Sequence, residues 1–273
     1  MSTATASATT TPILIVKLGD TLPELSTRLG DFEHWIAQGL QAEDAPVHIE
    51  VADPRPVHLG PTVPEPSGSP HHPTPPTPLP APDTVVQRRM GVVVTGSHAM
   101  VTDREPWSET TAAWLAELVA RGVPVLGICY GHQLLAHALG GEVWPHPQGL
   151  EAGTIRVEPT EHAATDPLLD HLDGPFAAPS AHRQSVRVLP PGATVLARNA
   201  FEPHHAYRVG ECAWGVQFHP EFGPDATRAY VHHLADTLRH QGVDTQALVD
   251  GVAPSPQATR VLARFAQWVA QRA

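Results

Sequence analysis

Cysteine, cationic side chains and long apolar runs are all scarce in this sequence. Only Cys129 and Cys212 occur, and a chain of 273 residues buries enough core to fold without a disulfide. No apolar segment reaches the roughly 20 residues that a membrane-spanning helix needs, and residues 1–10 contain no Lys or Arg. We therefore expect no signal peptide and no membrane anchor, and we expect a protein of the reducing cytoplasm.

Positive charge is the second scarcity. Asp and Glu number 28 against 17 Lys and Arg, which gives a formal net charge of −11. A broad electropositive face for phosphate backbones or anionic lipid is not expected from that balance. The sequence therefore predicts no nucleic-acid partner and no membrane partner.

Short β-branched runs alternate with segments of helical spacing in the first half of the chain, at residues 13–16, 47–51, 91–94 and 123–128. This alternation is typical of parallel strands covered by helices on both faces. After Gly141 the runs shorten and predict antiparallel strands that extend the same sheet. These shorter runs are residues 155–157, 186–188, 194–197, 206–209 and 214–218. The expected fold is α/β, a flavodoxin-like open and mainly parallel sheet.

The chain divides into unequal parts by composition. We expect a disordered tail over residues 1–12, one domain over residues 13–240 and a C-terminal helical extension over residues 241–273. A proline-rich insertion at residues 53–84 holds twelve of the thirty prolines. Because proline removes a backbone donor and resists both helix and central strand, we interpret the insertion as an irregular surface excursion. A docking site for a proline-binding module is the alternative.

The segment around Cys129 carries the strongest chemical signal. A buried strand pattern ends just before it, a helical pattern begins just after it, and Gly127 and Gly131 flank it two residues away on either side. This Gly-x-Cys-x-Gly arrangement is the thiol counterpart of the turn that exposes a nucleophilic serine. The following helix directs its unpaired N–H groups at the sulfur, which favours the thiolate. Cys212 has no such frame and is interpreted as a packing residue.

A thiolate nucleophile needs a base that can also protonate a leaving amine. Eighteen histidines are present, so composition cannot select one, but His219 follows an apolar run and precedes Pro220 and Glu221. Proline biases the residue before it toward an extended backbone. Residues i and i+2 of an extended chain share a face, so Glu221 is expected to orient the His219 ring.

These two segments resemble those of the class I, or triad, glutamine amidotransferases, and within that family they are most similar to the glutaminase domain of GMP synthetases. The nucleophile segment is residues 127–133 and the His/Glu segment is residues 217–221, about 90 residues apart in the expected order. The resemblance covers roughly residues 13–230. It implies that Cys129 is the nucleophile, His219 the general acid/base and Glu221 its orienting partner.

The resemblance also implies an oxyanion hole and a substrate site. The oxyanion donors would be the backbone N–H groups of Tyr130 and of the loop that contains Gly96 and Ser97. Here the family's usual Gly-Gly-Pro is replaced by Gly96, Ser97 and His98. The substrate-binding residues would be Gln133, His182, Arg183, Gln184 and Ser185, although relatives often carry an acidic residue in the place of Gln184 or Ser185.

The expected reaction is attack on the side-chain amide of glutamine, giving a glutamyl thioester and ammonia, followed by hydrolysis to glutamate. No cofactor or metal is expected for this reaction, and the pairs His71–His72 and His204–His205 lack the carboxylate and cysteine neighbours of a metal site. No phosphate-binding loop or nucleotide-activating segment occurs, so a synthetase domain is not expected within this sequence, and a separate synthetase subunit is a candidate partner that would consume the ammonia. A hydrolase of γ-glutamyl compounds is the first alternative and a non-catalytic binding module is the second. A homodimer is the default expectation for assembly.

Overall fold

The computed structural model describes residues 10–56 and 76–272. The strands are β1 (Thr11–Val16), β2 (Val47–Ala52), β3 (Gly91–Val94), β4 (Val125–Ile128), β5 (Glu142–Pro145), β6 (Glu151–Pro159), β7 (Phe176–His182), β8 (Gln184–Val188), β9 (Ala193–Arg198), β10 (Ala206–Val209) and β11 (Ala213–Val216). The helices are α1 (Pro23–Leu29), α2 (Phe32–Gln41), α3 (Pro82–Gln87), α4 (Pro106–Ala120), α5 (Tyr130–Ala138), α6 (Pro224–His233), α7 (Ala235–His240), α8 (Thr245–Asp250) and α9 (Pro256–Ala270).

Nine of the described strands form one sheet in the order β2-β1-β3-β4-β11-β10-β9-β6-β7. The first five strands of that order run parallel, and the rest join through antiparallel pairings. The predicted fold class, a mainly parallel sheet extended by antiparallel strands, is confirmed. One strand was placed wrongly, because β8 pairs with β5 in a separate two-stranded sheet.

The alternation of side chains along β1 shows why helices cover both faces of the sheet. Ile13 and Ile15 point into one apolar cluster, which contains residues of α2 and α9. Leu14 and Val16 point into another, which contains residues of α4 and α5. Successive side chains of a strand face opposite sides, so a strand that is apolar at every position needs cover on both.

The C-terminal helix α9 belongs to this core. A Cβ at Gly39 of α2 would lie 2.3 Å from Leu262, and one at Gly91 of β3 would lie 2.6 Å from Val269. Both glycines therefore let α9 approach α2 and the sheet closely. Helix α9, within the extension expected over residues 241–273, therefore packs into this core, and we propose that the domain runs from β1 to α9.

The described ends of the proline-rich insertion are ordered. Asp53 and Thr77 form an antiparallel bridge, the indole N–H of Trp114 donates to the carbonyl of Pro80 at 2.8 Å, and α3 begins at Pro82. Residues 57–75, with the His71–His72 pair, lie outside the described residues, so their expected role as surface excursion or docking site stays a prediction. The same holds for the tail, of which residues 11 and 12 belong to β1.

Among the described helices, none is both long and apolar enough to cross a membrane.

Candidate active site

Cys129 lies in a tight turn between the end of β4 and the start of α5. Its φ is +50° and its ψ is −101°, a conformation that costs a residue with a side chain of the order of 1–3 kcal/mol. The backbone around it is held by a hydrogen bond from the Cys129 N–H to the carbonyl of Val216, at 2.8 Å. The strand, the helix and the neighbouring β11 therefore maintain the strained turn.

The flanking glycines make this turn sterically possible. A Cβ at Gly127 would lie 2.3 Å from the carbonyl oxygen of Gly131, and a Cβ at Gly131 would lie 2.5 Å from the carbonyl oxygen of Val94. Neither contact is tolerable, because backbone atoms cannot move aside as a flexible side chain can. The steric role predicted for the two glycines is confirmed.

His219 reaches the turn because β11 runs parallel to β4. Val216 pairs with Ile128 in this register, so the residues that follow the two strands emerge at the same sheet edge. Gly96, which follows β3, lies beside both groups. An atom at its Cβ position would be 3.2 Å from Cε1 of His219 and 3.8 Å from Cβ of Cys129.

The carboxylate of Glu221 contacts the far side of the His219 ring, with Oε1 2.8 Å from Nδ1. The expected contact is present, but the extended backbone predicted for it is wrong. Pro220 and Glu221 form a turn, in which the Phe222 N–H donates to the carbonyl of His219 at 3.3 Å. Proline at the second position is typical of such turns, and the turn curls the carboxylate back onto the ring.

These contacts set the charge of the imidazole. Burial by itself would lower the pKa of His219, but the Cys129 sulfur and the Glu221 carboxylate together raise it from 6.5 to about 10. His219 is 3% exposed and Glu221 is 7% exposed, so water screens this interaction little. An imidazolium close to a sulfur is the arrangement that stabilises a thiolate.

Backbone donors surround the same point. Within residues 10–56 and 76–272, the N–H groups of Gly96, Ser97 and Tyr130 form no hydrogen bond. Tyr130 is the first residue of α5, where the helix leaves its N–H groups without an internal partner. The hydroxyl oxygen of Ser97 accepts from the N–H of Ala99 at 3.1 Å, a bond that does not use its O–H as a donor. These unpaired backbone N–H groups are available to an anionic oxygen, and the O–H of Ser97 is a further donor.

A cavity of about 200 Å³ opens next to Cys129. Four of the five residues predicted to bind substrate line it, namely Gln133, His182, Arg183 and Gln184. The fifth, Ser185, is fully buried and is not among the lining residues.

Gln133 has a structural role as well. Its amide nitrogen donates to the carbonyl of Gln184 at 2.8 Å and to Oε1 of Gln217 at 2.9 Å. Only its carbonyl oxygen remains for another partner. Gln133 therefore joins α5 to the start of β8, beside the cavity-lining residues His182 and Arg183.

Sequence reasoning missed Glu151, at the start of β6. Its Oε2 lies 3.0 Å from Nε2 of His182 and 3.1 Å from Nε2 of His205. The prediction that the His204–His205 pair has no carboxylate neighbour is therefore wrong for His205. No local motif could have found this contact, because Glu151 lies more than thirty residues from either histidine in the sequence.

Comparisons with known proteins agree with the two sequence motifs. A family model described as glutamine amidotransferase class-I matches residues 80–242. The glutamine-hydrolyzing GMP synthase of Thermomicrobium roseum is 41% identical over 131 residues, 48% of this chain and 23% of the synthase. The gamma-glutamyl-L-1-hydroxyisopropylamide hydrolase of a Pseudomonas species is 30% identical over 161 residues, 56% of this chain and 54% of the hydrolase.

A solved glutamine amidotransferase from Thermotoga maritima has the same fold, with a TM-score of 0.63 and 18% identity over 95% of this chain and 98% of its own. The aligned region is about a quarter of the matched GMP synthase and about half of the hydrolase. The resemblance inferred from the motifs is confirmed, since the family match spans more than half of the chain. This chain belongs to the class-I glutamine amidotransferase family.

Proposed function

We propose that this protein is a cysteine-dependent amidase that hydrolyses the side-chain amide of glutamine. The observation that carries the proposal is the meeting of Cys129, His219 and Glu221 at one sheet edge, with a 2.8 Å contact between the last two. A nucleophile, a base within reach and a group that orients the base are the parts that acyl transfer requires.

In the proposed first half-reaction, the Cys129 sulfur attacks the δ-carbonyl carbon of glutamine. The N–H groups of Tyr130 and Ser97 stabilise the oxyanion, and each such donor contributes about 3 to 4 kcal/mol in measured cases. The imidazolium of His219 gives its proton to the departing nitrogen, so ammonia leaves and a thioester remains. His219 is now neutral and can accept a proton from water.

In the second half-reaction, water attacks the thioester carbon while His219 takes a proton from it. The tetrahedral intermediate collapses, the C–S bond breaks, and glutamate and the Cys129 thiolate are released. Glu221 stays ionised and holds the ring in one orientation through both steps. The buried ion pair that starts the cycle is thereby restored.

The cavity indicates how the rest of the substrate could be held. Arg183 is exposed and lines the cavity, so its guanidinium suits the α-carboxylate of a glutamyl group. The free carbonyl oxygen of Gln133 suits an amino group. No described residue lining the cavity is Asp or Glu, so an α-ammonium group would depend on neutral oxygens there.

The fate of the ammonia is a separate proposal. Two glutamine-hydrolyzing GMP synthases are 41% and 39% identical to this chain over the aligned residues, and by analogy a synthetase unit would consume the ammonia. This chain aligns with 23% of one such synthase and 27% of another. We therefore propose a synthetase partner for the released ammonia, with the homodimer as a further prediction.

A γ-glutamyl amide hydrolase is the second candidate. The similarity to the Pseudomonas hydrolase, which covers 54% of that protein, favours it. The chemistry would be the same, with an amine in place of ammonia as the leaving group.

Incubation of the pure protein with glutamine and with a set of γ-glutamyl amines would separate the two candidates. Ammonia release from glutamine, alone or with a cell extract, supports the first candidate, and a dependence on extract supports a partner. Preferential amine release supports the second. No turnover of any substrate under either condition would favour the non-catalytic binding module and contradict both.

A further inference from the structure

A carboxylate and two imidazoles converge beside the cavity, outside the proposed catalytic groups. Glu151, His182 and His205 each offer one atom, and these atoms lie within 4.8 Å of one another. The three residues come from the start of β6, the end of β7 and the residue before β10. His182 is 3% exposed and His205 is fully buried.

The hydrogen bonds of His182 decide which ring nitrogen is free. Its Nδ1 lies 3.0 Å from the carbonyl oxygen of Gln184, and a carbonyl only accepts, so Nδ1 carries the proton. In the neutral ring, Nε2 then presents a lone pair to the carboxylate of Glu151 at 3.0 Å. Two lone pairs at that distance repel each other unless a proton or a cation lies between them.

His205, which is more deeply buried than His182, also places a ring nitrogen close to the Glu151 carboxylate. Its Nε2 lies 3.1 Å from Oε2 of Glu151, yet neither ring nitrogen forms an aligned hydrogen bond with any described residue. A buried imidazole without hydrogen bonds is costly. Nε2 of His205 and Oε2 of Glu151 are thus close together without a hydrogen bond, as two atoms are when both bind the same metal ion.

The surrounding groups are those that support metal ligands. Metal-binding histidines usually donate their other ring N–H to a carbonyl or carboxylate, which fixes ring orientation, and His182 does so toward Gln184. Oε1 of Glu151, the oxygen that does not face the histidines, accepts from the side-chain amide of Asn199 at 2.8 Å. The hydroxyl of Ser180 donates to Oε2 of Glu151, the oxygen that faces the histidines, at 3.3 Å.

We propose that Glu151, His182 and His205 bind a divalent transition metal, with Zn²⁺ as the expected ion. Zinc takes imidazole nitrogen and carboxylate oxygen at about 2.0 to 2.2 Å, so tetrahedral ligand atoms stand about 3.3 Å apart. The observed separations of 3.0 and 3.1 Å from Oε2 are within a few tenths of an ångström of that spacing. The two imidazole nitrogens lie within 4.8 Å of each other and would adjust to the same spacing when the ion binds. Three protein ligands leave a fourth position for water.

The ion would join segments that are distant in sequence. It would connect the start of β6, the end of β7 and the segment that enters β10. Because His182 also lines the cavity next to Cys129, the metal would hold one wall of the cavity in place. This inference does not depend on the proposed amidase activity.

The test measures zinc binding in the full chain with Cys129→Ala as background, so that the sulfur proposed as nucleophile cannot bind the ion. Zinc content is determined after loading and dialysis against metal-free buffer, and the melting temperature is followed with added Zn²⁺. We expect one zinc per chain. We also expect a rise in melting temperature of about 5 to 10 °C at a zinc concentration 100-fold above Kd.

Glu151→Gln and His205→Gln are the site variants, each of nearly unchanged size. His162→Gln is the matched control, since that side chain is 59% exposed. Both site variants should lose the zinc and its thermal shift, whereas the control should keep them. Melting curves recorded in the presence of a chelator establish whether each variant is folded without zinc. Two site variants are made so that the test is still possible if one of them does not fold.

Three results would overturn the proposal. The parent protein retains no zinc, all variants including His162→Gln bind it equally, or the folded site variants keep both the metal and the thermal shift. In the first case the cluster is a buried ion pair with a protonated imidazole. In the other two the ion is held by surface histidines or by another site.

Discussion

Substitution of Glu221 by Gln tests the charge assigned to the proposed catalytic histidine. The amide oxygen of Gln can still accept from Nδ1 of His219, but the negative charge 2.8 Å from that nitrogen is lost. An opposite charge at such a distance moves a pKa by about 1 to 3 units. The pKa of His219, which is about 10 in the intact protein, should therefore fall to between about 7 and 9.

The consequence is a shift in the alkaline limb of the pH–rate profile. His219 must carry a proton to release the leaving amine, so kcat/KM should fall as pH rises through about 10 in the wild type. In Glu221→Gln the fall should begin about 1 to 3 pH units lower. At lower pH, kcat should still be reduced by about 10² to 10⁴, because a neutral amide no longer stabilises the imidazolium.

The assay is ammonia or amine release from the preferred substrate over pH 6 to 11. Glu202→Gln is the matched control, since Glu202 is fully buried and also has one carboxylate oxygen without a hydrogen bond. It should keep the wild-type profile. An alkaline limb that does not move in Glu221→Gln, in a protein that remains folded, would refute the reasoning.

Other substitutions probe the nucleophile, its turn and the ion pair. Cys129→Ala should reduce amide hydrolysis by roughly 10⁴-fold or more, whereas Cys212→Ala should leave it nearly intact; an equal loss from both would contradict the assignment. Gly131→Ala should cost about 1 to 3 kcal/mol of stability, because its Cβ would meet a carbonyl oxygen at 2.5 Å. Gly174→Ala, where a Cβ meets nothing within 4 Å, should be close to neutral, and thermal melting compares the two. The raised pKa of His219 implies stability that is fully present below pH 6.5 and lost as pH rises through about 10. The melting temperature of the wild type should therefore fall more across that range than that of His219→Gln, and parallel curves would count against the buried ion pair.

Local sequence determined the parts of the site that depend on neighbouring residues. The apolar run of β4, the helical spacing of α5 and the two glycines between them specify the Cys129 turn, because the steric limits involve atoms a few residues apart. The fold class could also be predicted from local patterns, because strands that are apolar at every position need helices on both faces of the sheet. Proline at position 220 predicted an extended backbone at His219, but Pro220 and Glu221 form a turn.

Tertiary structure alone decided the contacts between distant segments. Parallel pairing of β4 with β11 brings Cys129 to His219, and the antiparallel pairing of β6 with β7 aligns Glu151 with His182. His205 then completes a cluster whose members share no sequence pattern. Strand pairing and register depend on how the whole chain packs. Side chains from different strands therefore meet to form a site only in the folded sheet, and the sequence alone does not show which of them will meet.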